Sequence, residues 1–267
     1  MVPAYWWDGH PNFGDGLTSW LLPHFGVIPV HRVPGRAEMV GVGSIIEHMP
    51  EDFSGVVWGS GLMHDEQRPL PGATVLAVRG ELTRARTAAP ADTPLGDPGL
   101  LVSHLMRRPP VRWRVGLVPH GHHRSNRAVL ALAERYPRDV HLINVHGRTG
   151  SVVREIASCR YVISSSLHGV VVADAFGIPA AWTSLEPDLP GGTFKFRDHE
   201  TVVGDDRFLV LDESSSLEDL LDQVRPADRN RVAAATGDLQ RSAARLREHF
   251  ADRTMPPPLA LSRMLRS

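Results

Sequence analysis

The chain has 267 residues, 42% of them hydrophobic, with a formal net charge of -1 and a single cysteine. That length buries a sizeable core in one large or two modest domains, and near-neutral charge argues against general nucleic-acid binding, which asks for a basic face. One cysteine, Cys159, excludes an internal disulfide and any cysteine-based zinc site.

In chain order, Tyr5-Trp-Trp leads into a glycine-rich loop (Gly9, Gly14, Gly16) and a helical stretch over 17–22. Three β-branched runs ending at small residues follow: Val40-Gly-Val-Gly-Ser44, Val56-Val-Trp-Gly-Ser-Gly61 and Val75-Leu-Ala-Val-Arg-Gly80. A helix is predicted over Glu81–Thr87, and Met106-Arg-Arg-Pro-Pro-Val111 reads as a linker. Beyond it, strands are expected at Val115-Gly-Leu-Val-Pro-His120, Val140-His-Leu-Ile143, Tyr161-Val-Ile-Ser164 and Phe208-Leu-Val-Leu211. Helical segments at 126–135, 150–158 and 167–176 separate them. The uniformly apolar strands suit a sheet covered on both faces. Residues 228–250 carry Val232, Leu239, Leu246 and Phe250 near helical spacing, which predicts a surface helix crossing back onto the first half, broken by Met255-Pro-Pro-Pro258. The pattern is α/β: two Rossmann-like domains with mostly parallel sheets, at 1–106 and 111–227, and a helical tail at 228–267.

The densest chemistry lies at Ser164-Ser-Ser-Leu-His-Gly169. A strand, a tight polar loop and a helix start bring three hydroxyls, a histidine and free amides to one strand end, where open α/β sheets bind ligands. Ser164, Ser165 and Ser166 can hold an anion together with those amides, or one of them caps the helix. Gly169 allows close backbone approach or tight packing. His168 suits proton transfer near neutral pH or a packing role. Arg79, at the end of the 75–78 strand, either grips an anionic ligand or pairs with Glu81 or Asp97. Asp15, in Asn12-Phe-Gly-Asp15, either orients an acceptor hydroxyl or caps the following helix. Trp6 and Trp7 can stack on a sugar or pack in the core. His120 ends its strand facing a cleft between the halves, for proton transfer, phosphate contact or structure. His122 and His123 lack a third ligand at suitable spacing, so no metal is expected. Lys195, the only lysine, and Arg197 point the same way if Phe194-Lys-Phe-Arg-Asp198 is extended, as paired cations or a solvated face.

The ordered set of motifs resembles the polysaccharide pyruvyltransferase family, in particular the branch acting on bacterial exopolysaccharides. It comprises Tyr5-Trp-Trp-Asp8, Asn12-Phe-Gly-Asp15, Val40-Gly-Val-Gly-Ser44, Val57-Trp-Gly-Ser-Gly61 and Ala77-Val-Arg-Gly-Glu-Leu-Thr83. It continues with Leu95-Gly-Asp-Pro98, Val118-Pro-His120, Ser164-Ser-Ser-Leu-His-Gly169, Ala173-Asp-Ala-Phe-Gly-Ile-Pro179 and Phe194-Lys-Phe-Arg-Asp198. The resemblance implies a GT-B-like arrangement and transfer of pyruvate from phosphoenolpyruvate to two sugar hydroxyls, making a cyclic ketal without a cofactor. It favours His168, Arg79 and Asp15 as catalytic, and Asn12, His120, Ser164, Ser165, Ser166, Gly169, Lys195 and Arg197 as substrate-binding. Many members carry Arg-Leu-His where this chain has Ser166-Leu167-His168, so the donor's cation is expected from Arg79, Lys195 or Arg197.

The alternatives are a GT-B glycosyltransferase using a nucleotide sugar, with only Glu186 and Asp188 near the place of the usual ribose-gripping carboxylate, or a catalytically silent glycan-binding relative. The expected partners are phosphoenolpyruvate and a glycan or lipid-linked acceptor, without nucleic acid. No secretory signal order begins the sequence and no apolar run reaches ~18 residues. A cytoplasmic location is expected, with attachment to the inner membrane face left open.

Overall fold

The β-branched runs form two separate parallel sheets in the computed structural model, which describes residues 1–204 and 206–255. In the first, β1 (Val2–Tyr5), β2 (Pro29–His31), β3 (Met39–Val40), β4 (Val56–Ser60) and β5 (Thr74–Val78) lie in the order β2-β1-β3-β4-β5. In the second, β6 (Trp113–Val118), β7 (Val140–Leu142), β8 (Cys159–Ser164) and β9 (Ala180–Trp182) lie in the order β7-β6-β8-β9. The α/β class with two Rossmann-like sheets therefore holds. Each sheet begins with its first strand second from the edge, so the winding reverses beside β1 in one and beside β6 in the other. Parallel α/β sheets bind ligands at such reversals, outside the carboxyl ends of the strands.

The helices are α1 (Leu17–Leu21), α2 (Glu81–Thr87), α3 (Val102–Leu105), α4 (Arg127–Arg135), α5 (Thr149–Ala157), α6 (Leu167–Ala175), α7 (Phe194–Val203), α8 (Leu217–Leu221) and α9 (Arg229–His249). Residues 167–174 of α6 are all buried. A helix apolar all round has no solvent side and belongs inside. It packs against the 3₁₀ turn Pro98–Leu101, and one continuous apolar cluster runs from Val2 and Trp58 of the first sheet to Val162 and Val171 of the second half. Such a shared core resists the relative motion expected of loosely joined domains. Asp228 caps α9 through the amides of Asn230 and Arg231. The helix returns to the first sheet, where Trp58 Nε1 donates to Ser242 Oγ at 2.9 Å. Of the expected helix-breaking Met255-Pro-Pro-Pro258, all but Met255 lies outside the described residues.

Three local readings need correction. The segment 194–198 is the first turn and a half of α7, not a strand. Alternation over five residues does not separate the two periods, and tertiary packing decides it. The run at 208–211 makes only an isolated bridge, Trp182 to Phe208, at the rim of the second sheet. The 40–44 run leaves the strand after Val40, and Gly43 takes a φ of 123°, open to glycine. Strands β1, β2 and β9 were not anticipated because they are three or four residues long and contain proline or alanine in place of β-branched residues.

Candidate active site

The carboxyl ends of β1, β3, β6 and β8 converge on a cavity of about 500 Å³ between the two halves. The first half contributes Asn12 and Asp15 from the loop after β1, Ser44 after β3, and Trp7 and His48 at the rim. The second contributes His120 after β6, Ser166 and His168 after β8, and Lys195 from α7.

His168 sits in the first turn of α6 and is 6% exposed. Its Nε2 points inward, 3.5 Å from Oδ2 of the fully buried Asp97. Its Nδ1 side meets the loop after β1, where a β-carbon on Gly14 would fall 2.1 Å from Nδ1. Asn12 shapes this loop by accepting from the Gly14 amide at 3.1 Å. Gly14 is thus required by a close approach. Gly14→Ala is expected to cost about 1–3 kcal/mol of stability through overpacking and to displace the His168 ring, checked by denaturant unfolding and by turnover.

Asp15 does not cap α1; the cap position is Gly16, and no side chain serves it. Burial raises the Asp15 carboxyl to about 6, against the opposing pull of His168, Asn12 and Lys195. Burial and the positive field of Arg79 bring Lys195 down to about 8, with Asp15 working the other way. The Lys195 side chain is 7% exposed. Among the described residues its Nζ has no hydrogen-bond or ion-pair partner, resting 5.8 Å from the Phe196 ring centroid. Burying an ammonium is expensive without a counter-charge, and a cavity-lining one is poised for an anion.

His120 is held neutral: burial and the nearby Lys195 and histidines push it down to about 3. Its Nδ1 accepts from the His122 amide at 3.3 Å, which leaves the proton on Nε2 as a donor. His123 is structural, joined to Ser165 Oγ at 2.8 Å and to the Pro187 carbonyl at 2.9 Å. Among the described residues no three His, Cys, Asp or Glu side chains are grouped to hold a metal ion.

The serines divide. Ser164 Oγ is used on the Val118 and Ser166 carbonyls and the Ser166 amide, and Ser165 Oγ on the His120 amide and His123. Only Ser166 lines the cavity, and its side chain makes no cap, so the first amides of α6 stay open. Gly169 is a packing glycine, since a β-carbon there would fall 2.4 Å from Ser164 Oγ.

Arg79 and Arg197 are not in the cavity wall. Arg79 is fully buried behind it and donates to Asp198 Oδ2 (2.9 Å), the Leu62 carbonyl (2.7 Å) and Ser44 Oγ. The pairing carboxylate is Asp198, not Glu81 or Asp97. Asp198 also accepts from the Thr83 amide at 2.9 Å and its hydroxyl at 2.6 Å. A β-carbon on Gly80 would fall 2.0 Å from the Asp198 carbonyl. Motifs 119 residues apart thus form one brace that docks α7, and with it Lys195, on the first half. Because α7 is helical, Arg197 points elsewhere, pairing with Glu200 and Asp206 at 3.1 and 2.7 Å and lying over Trp182. Of the three cations expected to replace the arginine absent at Ser166, Lys195 alone reaches the cavity.

Asp97 was legible as part of Leu95-Gly-Asp-Pro98 and as a possible partner of Arg79, and no spacing in the sequence announced its contact with His168. Trp7 is 41% exposed at the rim, 5.4 Å from His48. The half-buried Trp6 packs against the main core instead.

Fold and site together define an α/β protein with a cleft at the strand ends of two parallel sheets, into which histidines, Asp15 and Lys195 project. The model of the Polysaccharide pyruvyl transferase family matches residues 94–187, from just before Asp97 to beyond His168. The chain is 28% identical over 220 residues to the succinoglycan biosynthesis protein ExoV of Rhizobium meliloti, covering 76% of this chain and 65% of that protein. It is 28% identical over 178 residues to the uncharacterized protein L143 of Acanthamoeba polyphaga mimivirus, covering 62% of this chain and 60% of that protein. The chain spans less than two thirds of either relative's length. A solved structure of an uncharacterized Klebsiella pneumoniae protein, 12% identical, aligns over 78% of this chain and 93% of that one with a TM-score of 0.42.

Proposed function

We propose that this protein transfers the pyruvyl group of phosphoenolpyruvate to two hydroxyls of one sugar in an exopolysaccharide or its precursor, forming a cyclic ketal and releasing phosphate. The observation that carries this reading is the buried, unpaired Lys195 ammonium facing His168 and Asp15 across one cavity. Lys195 and the open amides of α6 neutralise the donor's phosphate and carboxylate. His168 protonates the methylene carbon, which makes the adjacent carbon electrophilic. Asp15 takes the proton of the first sugar hydroxyl as it adds. Phosphate then leaves and the second hydroxyl closes the ring. One hydroxyl proton ends as the third hydrogen of the ketal methyl group and the other on phosphate, so no cofactor is required. His120, neutral and donating from Nε2, suits a phosphate oxygen.

Among the described residues no helix is long and apolar enough to cross a membrane. We place the reaction in the cytoplasm, where phosphoenolpyruvate is made, with a lipid-linked acceptor approached from the inner membrane face.

The direct test is phosphate release from phosphoenolpyruvate in the presence of candidate glycans, beside UDP or GDP release from nucleotide sugars. Thermal stabilisation by phosphoenolpyruvate supports the reading; stabilisation by nucleotide sugars alone overturns it. Lys195→Met is expected to raise the Kd for phosphoenolpyruvate about 10–100-fold, the loss of a charge-assisted contact. The pH dependence follows from two groups. Asp15 serves as a base only above about 6, and Lys195 keeps its charge only below about 8. The rate profile is therefore expected to be bell-shaped between those values, and Lys195→Met should remove the high-pH loss of donor affinity.

A further inference from the structure

Asp97 takes no part in the chemistry described above, yet it is wholly buried beside the reacting histidine. Its Oδ1 accepts from the Gly99 amide at 2.8 Å, capping the 3₁₀ turn Pro98–Leu101. Its Oδ2 has no hydrogen-bond partner among the described residues, and neither has Nε2 of His168, 3.5 Å away. Two buried polar atoms without partners, facing one another, are costly unless they serve each other. Burial works to raise the Asp97 carboxyl, but its contacts with His168, then the Gly99 amide and the field of His199, leave it below the ordinary range. His199 is itself committed to Asp174, at 2.8 Å, and that carboxylate to Arg207. No other described side chain forms an ion pair with Asp97.

We infer that Asp97 is a positioning residue that holds the Nε2–H of His168, so that Nδ1, on the side of Gly14 and Asp15, is the nitrogen that delivers the proton to the donor. The hydrogen bond at one ring nitrogen fixes which form the other takes. With Nε2–H donated to a carboxylate, Nδ1 is the site that gains and loses the catalytic proton. Nδ1–H protonates the methylene carbon and the ring is left neutral with its proton on Nε2. The ring recovers a proton at Nδ1 from the sugar hydroxyl by way of Asp15. The inference rests on His168 being the acid, and it names the nitrogen and its support.

The test uses the full chain with ¹⁵N-labelled histidine. In the wild type, neutral His168 is expected as the Nε2–H tautomer by two-bond ¹H–¹⁵N correlation. Asp97→Asn keeps an oxygen for the Gly99 amide while offering Nε2 an amide donor, so the ring is expected to switch to Nδ1–H. With phosphoenolpyruvate and an active glycan acceptor, kcat should fall about 10²-fold, the scale of general acid catalysis. The Kd for phosphoenolpyruvate should hold. Should Asp97→Asn fail to fold, Asp97→Ser keeps a capping oxygen without the reach to His168 and is expected to leave the tautomers mixed. An unchanged tautomer overturns the inference, as does an Asp97→Asn enzyme whose kcat and donor affinity fall together, which marks a structural role. Full activity in His168→Gln instead removes the acid assignment beneath it, a result the tautomer measurement does not depend on.

Discussion

His168→Gln is expected to lower kcat for phosphate release from phosphoenolpyruvate by about 10²–10⁴-fold, the span covered by a positioned general acid, while the donor still binds. The expectation follows from what else the cavity holds. His120 is driven down to about 3 and carries no transferable charge near neutrality. Asp15, at about 6, is more useful accepting a proton from the acceptor than giving one to carbon. Lys195, in the role proposed for it, clamps an anion and serves only while it keeps its charge. Among the cavity side chains, His168 is braced by a buried carboxylate on one edge and lies against the loop after β1 on the other. Steady-state kinetics with direct titration of phosphoenolpyruvate binding separates the two parameters. A variant that loses donor affinity but keeps its turnover rate would move His168 from chemistry to binding.

The second large effect falls on stability. Asp198→Ala is expected to cost about 3–5 kcal/mol in denaturant unfolding, because it strands the buried Arg79 charge and removes the acceptor of the Thr83 amide and hydroxyl. Donor binding should weaken in parallel, since α7 carries Lys195 and is docked by the same carboxylate. Replacing both partners, Arg79→Met with Asp198→Leu, should recover part of the stability, as buried ion pairs exchanged for apolar groups often do. That pair decides what Arg79 does. If Arg79 is a brace, phosphoenolpyruvate binding returns with stability in the double variant. If its guanidinium reaches the donor, binding stays lost while the fold recovers.

Much of the architecture is readable in one dimension because it rests on local rules. Val56-Val-Trp-Gly-Ser60 can hardly be anything but a strand covered on both faces, and Asp228 before an alanine- and arginine-rich stretch announces a helix start. The strand–loop–helix reading of 159–177 is equally local, and it put Ser166 and His168 at the strand-end edge that lines the cavity. The short strands β1, β2 and β9 escaped because three or four residues do not establish a period, and their pairing partners supply most of what holds them extended.

The candidate cations show the limit most clearly. As sequence, Arg79, Lys195 and Arg197 are three interchangeable positive charges near an absent arginine. In the fold, α7 is a helix, and its 3.6-residue period sends Lys195 into the cavity, Asp198 into the brace and Arg197 onto Trp182. Two residues apart on a strand share a face; two apart on a helix diverge by about half a turn. One change of period reassigned all three.

The sequence by itself determined the residue types of the site, its strand-end location and the α/β class, because each depends on neighbours within a few positions. The tertiary structure decided the partners: Asp97 behind His168, Gly14 against its ring, Asp198 on Arg79 and Lys195 alone before the cavity. Burial is what makes those partnerships matter. An ion pair or an unpaired ammonium is nearly neutral in water and decisive in a dry interior, and which charges are buried is known only once the two sheets have closed on each other.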